Sequence, residues 1–371
     1  MADVRIVDSE KAFFALRDEW TTLLSSSPSD NPFLTWEWLF SWWLVYRDTR
    51  DLRVVTLRNG CNELVAILPL FLHNSHYYRV PVRECALIGT GLSDRQDIIA
   101  KTVDPELLAM AFDRISAHEP TWGIMRFEEI PSDGVLNTAT IPTSYSYGTE
   151  ACSVCPYLKL QCDWNEYLAK KSRSFRRDIA RTRDRITSLG SWDLNVLVDP
   201  EDVSYALSIM ENVELRSQKN KTEKSFWREP RHRDFITSFA SIPHREVSID
   251  FSTIRLNGLP IAYLLGFAYK KKFYAYNSAF LDEYRHAAPG KFILQEKIKW
   301  CFERKDEFLE FDFSRGDSYV KELWTGEARI HNRIVIFNRG IRTSALRYFV
   351  FTARPALKKV ASRAKAYGAS R

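Results

Sequence analysis

The chain has 371 residues, 45% of them hydrophobic and 27% charged, which is the composition of a soluble globular protein with one large core or two ordinary ones. Its longest apolar stretches, around "WLFSWWLVY" and "IAYLLGFAY", fall well short of the roughly 20 residues that cross a bilayer. The net charge of +6 is modest for this length and carries information only where basic residues cluster.

The first residues, "MADVRIVDSEKAFF", lack a basic region followed by an apolar run, so they do not read as a signal peptide, and the expected location is the cytosol. "LRVVTLRNGCNELVAILPLFL" predicts a strand, an Asn59-Gly60 turn and a buried strand. "GTGLSDRQDIIA" places Gly89, Gly91, Asp94 and Asp97 in a turn with solvated carboxylates. A helix is expected from about Pro105 to His118, and "WGIMRFEEI" returns to strand. The stretch from Pro131 to Pro156, rich in Ser, Thr, Pro and Tyr, reads as a connection that divides the chain into 1–150 and 151–371. Six irregularly placed cysteines suggest reduced thiols. "CSVC" (Cys152 to Cys155) has the spacing of half a zinc site, but no second Cys or His pair follows at ligand distance, so no metal is predicted.

The basic residues cluster in a helix predicted over 164–189, whose core "KKSRSFRRDIARTRDRI" sets an apolar stripe of Leu168, Phe175, Ile179 and Ile186 against a cationic face that includes Arg173, Arg176 and Arg177. That face is either merely solvated or a binding surface for a nucleotide-linked sugar, an acyl-tRNA or anionic lipid. The C-terminal "LRYFVFTARPALKKVASRAKAYGASR" is also basic, and with the helix it makes peripheral association with an inner membrane an expectation to test.

"VSIDFSTIRLNGLPIAYLLGFAYKKKFYAYNSAF" predicts three antiparallel strands, the first two joined at Asn257-Gly258. From Lys291 the period becomes helical, with Leu294, Ile298, Cys301 and Phe302 on one face, and "DEFLEFDF" then alternates as a strand. The same order of meander, helix and strand occurs in the first half, which implies an internal duplication. Only the second copy has Pro289, Gly290 and Lys291 at the start of its helix. Free N–H groups and a partial positive charge at a helix start suit a phosphate, although proline there is also common for structural reasons alone. Beyond the last strand, "FDFSRGDSYVKELW" offers Asp312 or Asp317 as a base, Tyr319 as a proton donor and Lys321 as an electrostatic group. The competing reading pairs Asp312 with Arg315 or Arg333 and uses Tyr319 and Trp324 only for packing.

This order of elements resembles the GNAT acyltransferase fold, and its duplicated form the FemAB-type double GNAT proteins. "NPFLTWEWLFSWW", "KKSRSFRRDIARTRDRI", "APGKFIL" and "FDFSRGDSYVKELW" resemble the CelD/BcsL-type acetyltransferases found with exopolysaccharide synthesis, over nearly the whole chain. The resemblance implies an α+β fold of two tandem domains, each a mixed, largely antiparallel twisted sheet flanked by helices. It implies transfer of an acyl group, in the first instance acetyl, from acyl-CoA to an amine or hydroxyl of a small or sugar-linked acceptor, without a metal. Pro289, Gly290, Lys291 and Arg285 would then lie by the donor's pyrophosphate, with Tyr276 and Asn277 where a GNAT strand opens toward the acyl carbonyl and Arg315 beside them. Lys321 matches a lysine of FemAB-type relatives, and Asp97, with Arg173, Arg176 and Arg177, would face the acceptor. The alternatives are a FemAB-type aminoacyl-tRNA-dependent ligase and a non-catalytic accessory protein of a polysaccharide synthase.

Overall fold

A computed structural model describes residues 3–102, 105–198, 203–223, 225–316 and 318–353. Thirteen strands form one continuous sheet: β1 (Asp3–Val7), β2 (Asp51–Arg58), β3 (Leu64–Tyr77), β4 (Val80–Leu87), β5 (Ile99–Ala100), β6 (Ile124–Pro131), β7 (Ser146–Lys159), β8 (Trp192–Leu197), β9 (Ser248–Leu256), β10 (Leu259–Tyr269), β11 (Lys272–Phe280), β12 (Glu310–Asp312) and β13 (Ala328–Phe337). Their order across the sheet is β1-β2-β3-β4-β6-β13-β7-β12-β11-β10-β9-β8, with β5 paired to β3.

The duplication is visible in this order. In each half an antiparallel meander (β2-β3-β4, then β9-β10-β11) is followed by a helix, Pro105–His118 or Pro289–Phe302, and by a strand parallel to the meander's last one. Those parallel pairs, β4 with β6 and β11 with β12, each extend over three residue pairs. The β9-β10 turn is the expected two-residue hairpin: Asn257 and Gly258 have φ of 50° and 82°, the mirror-image turn that matches strand twist. At Asn59-Gly60 the loop instead runs to Glu63, because the Asn59 side chain accepts from the Cys61 and Glu63 N–H groups and holds a wider turn.

The halves exchange strands. β7 follows β6 in the chain yet pairs with β12, β13 follows β12 yet pairs with β6, and β7 and β13 pair with each other along the middle of the sheet. The predicted connection at 131–156 is a loop with a short helix only as far as Tyr145 and a strand from Ser146 on, so a boundary at 150 falls inside β7. The polar composition that reads as a loop belongs to a strand whose outer residues stay exposed while Cys155 and Leu158 are buried. The basic helix predicted over 164–189 is two helices, Trp164–Lys170 and Arg173–Thr187, separated where the Ser172 hydroxyl accepts from the Phe175 N–H and starts the second. A tryptophan-rich helix, Trp36–Tyr46, buries Trp36, Trp38, Trp42 and Trp43, and Trp38 meets Phe235, Phe267 and Tyr276 of the other half. Among the described residues no helix is long and apolar enough to cross a membrane.

Asp97, expected either as a solvated turn carboxylate or, from the resemblance, as an acceptor-binding residue, is 1% exposed. One oxygen accepts from Ser29 Oγ and Val135 N, both at 2.6 Å, and the other from Leu136 N and Ile98 N, both at 2.8 Å. Burial pushes its pKa up to about 6, against the pull of those four donors. Gly134 fits here because a Cβ would stand 2.6 Å from the Asp97 carboxylate. Asp97→Ala leaves three backbone N–H groups unsatisfied, and each costs about 1–3 kcal/mol when buried. A loss of at least about 3 kcal/mol in urea unfolding is expected; an unchanged midpoint would show that the three amides do not depend on the Asp97 carboxylate.

Candidate active site

β11 and β12 run together only from Lys272↔Glu310 to Tyr274↔Asp312, and then they part. Among the described residues that edge of β11 has no strand partner beyond Tyr274, and on its other side a bulge between Leu265 and Gly266 of β10 leaves Tyr276 unmatched. Bulges bend a strand and re-aim its side chains. The space opened by the parting is a cavity of about 250 Å³. Tyr276, Asn277 and Ser278 of β11, Gly290 of the Pro289–Phe302 helix and Arg315 and Lys321 beyond β12 line it.

Five of the residues expected from sequence therefore meet around one cavity: Tyr276, Asn277, Gly290, Arg315 and Lys321. Gly290 stands in the first turn of the helix, behind Ala288 in the left-handed region (φ 57°), and a Cβ there would meet the Phe280 ring at 2.9 Å. Pro289 is buried at the first helical position. Lys291 turns to Asp178 of the basic helix at 3.2 Å, and Arg285 to Asp282 at 2.6 Å and Gln218 at 2.8 Å, so neither side chain faces the cavity.

The expected chemistry beyond β12 changes most. Asp312 is 1% exposed and accepts from Arg95 at 2.8 Å, Arg329 at 3.4 Å and the Ser314 N–H at 2.8 Å. It is an ion-pair member, as the competing reading held, but its partners are Arg95 and Arg329, not Arg315 or Arg333. Lys321 Nζ donates to the carbonyls of Phe313 (2.8 Å), Arg315 (3.0 Å) and Gly316 (2.8 Å), and so fixes the chain as it leaves the sheet. Tyr319 is 72% exposed and does not line the cavity. Asp317 lies outside the described residues, as does the basic C-terminal segment from 354.

Lys219, which sequence reasoning missed, also lines the cavity and donates to Asn277 Oδ1 at 2.9 Å. Asn277 Nδ2 donates in turn to Tyr263 Oη at 2.9 Å, and Tyr263 donates to Glu214 at 2.6 Å. Glu214 is fully buried and also accepts from Ser225 at 2.6 Å. Burial holds the Lys219 pKa below its ordinary 10.5, with Glu214 pulling the other way. The "RSQKN" run around Lys219 offers no periodic or motif signal that marks it.

The first half holds two of the lining residues through its Gly89–Arg95 loop. Tyr276 Oη donates to the Leu92 carbonyl at 2.9 Å, and Arg315 donates to the Gly91 carbonyl and to Asp94, both at 2.7 Å. Burial pushes the Asp94 pKa up to about 6, opposed by Arg315. A second cavity of about 250 Å³ lies between the halves, lined by Asn31, Arg95, Gly134, Lys272 and Arg329; Asp97 lines it too, with both oxygens already engaged. Arg173, Arg176 and Arg177 are exposed, and Arg176 lines a groove between the basic helix and the Pro289–Phe302 helix.

The profile of the Acetyltransferase (GNAT) domain matches residues 173–322. Among solved structures, a conserved protein of unknown function from Bacteroides thetaiotaomicron superposes with a TM-score of 0.57 at 12% identity, covering 91% of this chain and 100% of that one. FemX superposes with a TM-score of 0.56 at 10% identity, over 89% of this chain and 96% of its own. L-PGS from Bacillus licheniformis gives 0.50 at 9% identity, over 89% and 94%. No curated protein matches the chain in sequence. At these identities the likeness is one of fold. The chain has an α+β fold like that of FemX, built of two similarly ordered halves, and the segment that matches the GNAT acetyltransferase domain is the one that carries the cavity.

Proposed function

We propose that this protein transfers an acyl group from acyl-CoA, with the donor held where β11 and β12 part and the acceptor, an amine or hydroxyl of a small or sugar-linked molecule, entering between the halves. The observation that carries the reading is the convergence of Tyr276, Asn277, Gly290, Arg315 and Lys321 on one cavity inside the segment that matches the GNAT domain. The unpaired edge of β11 supplies backbone N–H groups for the thioester carbonyl, whose oxygen gains negative charge as the nucleophile adds. The start of the Pro289–Phe302 helix supplies the positive end of its dipole to the pyrophosphate. Transfer is direct, from donor to acceptor in a ternary complex. The acceptor nitrogen or oxygen bonds to the acyl carbon, the carbon–sulfur bond breaks, and the acceptor's proton passes to a base while the thiolate leaves.

Lys219 is that base in this account. It faces the cavity, and burial favours its neutral form. Because the neutral amine is the active form, kcat/KM should rise with pH and level off below 10.5. Lys219→Met should remove that limb and lower kcat by about 100-fold, the usual scale of general-base catalysis. A pH profile unchanged in the variant would remove Lys219 from the proton path.

Donor binding is tested by calorimetric titration with acetyl-CoA. Wild-type protein should bind saturably, and Gly290→Glu, which adds bulk against Phe280 and negative charge at the helix start, should not. A wild-type protein that ignores acetyl-CoA but binds charged tRNA with steep salt dependence would instead support the ligase reading.

A further inference from the structure

The strand exchange brings three chemically different side chains together at the middle of the sheet. Glu129 comes from β6, Cys155 from β7 and His331 from β13, and one ligand atom of each lies within 4.8 Å of the others. His331 Nδ1 is 3.2 Å from Glu129 Oε2 and 3.4 Å from Cys155 Sγ. Cys155 and His331 are both 1% exposed. We propose that Glu129 Oε2, Cys155 Sγ and His331 Nδ1 form a binding site for a zinc-class divalent cation.

Three features of the chain support it. The first is spacing: bonds of about 2.0–2.3 Å from a tetrahedral zinc to N, O and S put neighbouring ligand atoms roughly 3.3–3.6 Å apart. The two contacts to Nδ1 are already of that size, and the carboxylate and the sulfur lie no more than 4.8 Å apart.

The second is that the backbone departs from regular sheet at two of the three positions, Glu129 and His331. Glu129 has φ of 56°, and β13 breaks register against β7 between His331 and Asn332 and against β6 between Asn332 and Ile334. His331 pairs with Ser153, two residues from Cys155, and with Pro131, two residues from Glu129, so the ladder puts all three side chains on one face, and the irregularities lie beside two of them. The left-handed region is strained for a glutamate, and such strain concentrates at functional sites.

The third is how the rest of each ligand is held. Ser153 Oγ donates to Glu129 Oε1 at 2.7 Å and Arg315 Nη1 stands 3.9 Å from the same oxygen, which leaves Oε2 for an ion. Nε2 of His331 is buried without a hydrogen-bond partner, and Glu129 Oε2 accepts from Nδ1, so an ion would take the place of the proton those two atoms now share. Cys152, the other cysteine of the CxxC pair, takes no part: its sulfur faces the His331 carbonyl at 3.4 Å. The partners of Cys155 come from 26 positions before it and 176 after it, which is why its sequence neighbourhood shows no second ligand pair.

Binding would expel the Cys155 thiol proton and any proton on Nδ1, and would leave a fourth position for water or another ligand. The ion would cross-link β6, β7 and β13, the strands through which the halves are joined.

The test is titration of chelator-treated full-length protein with Co²⁺ under reducing conditions. One ion per chain is expected, with a near-ultraviolet sulfur-to-cobalt charge-transfer band that Zn²⁺ abolishes by displacement. Cys155→Ser should lose the band and Cys152→Ser should keep it, each variant being checked for a wild-type circular dichroism spectrum. His331→Gln should reduce the amount of ion held. Absence of the band in the wild type overturns the proposal without recourse to any variant, and so does a band that survives Cys155→Ser.

Discussion

The parting of β11 from β12 after three residue pairs is the constraint on which the rest depends. A strand edge with no partner is costly inside a protein unless something else meets its backbone groups. Three devices keep this one open. Asp312, the last paired residue of β12, is held by Arg95 and Arg329, so the strand ends on a fixed ion cluster. Lys321 then gathers the carbonyls of Phe313, Arg315 and Gly316, which bends the chain away from β11. The bulge at Tyr276 turns the facing strand in the other direction, and its hydroxyl is tied to the opposite half. Conserving this gap, not filling it, is what these polar contacts accomplish together.

The first half repeats the architecture but does different work. Its Gly89–Arg95 loop reaches the second half through Leu92, Gly91, Asp94 and Arg95, each hydrogen-bonded or ion-paired to a residue at or near the parting. Buried ion pairs such as Arg95 with Asp312 contribute little net stability, since desolvation offsets most of the attraction. Their consequence here is orientation: an Arg95 without Asp312 would leave an uncompensated buried charge, so the halves are held to one register. Strand exchange makes the same demand covalently, because β7 and β13 each belong to one half by sequence and complete the other by pairing.

Much of this was legible in the sequence, and the reasons for what was not are specific. Period-two and period-3.6 patterns placed both meanders and both crossover helices, and Asn257-Gly258 fixed a hairpin. β7 escaped because its outer residues are polar and its pairing partners lie more than 150 positions downstream. Tyr276, Asn277 and Gly290 could be grouped because they flank one local strand-to-helix transition. Asp312 and Asp97 were misread because the arginines and amides that neutralise them come from remote segments, and an acidic residue in sequence looks the same whether water or a buried donor meets it. Lys219 was missed for the converse reason: its cavity is made by strands about 45 to 100 positions away.

Hydrogen exchange of the backbone amides, read with and without saturating acetyl-CoA, tests the central claim most directly. The account predicts slowed exchange in 275–278 and 290–292, the two segments that border the parting, with the exposed face of the Arg173–Thr187 helix unchanged. Saturable binding that leaves those segments unprotected, or that protects the first half alone, would contradict it.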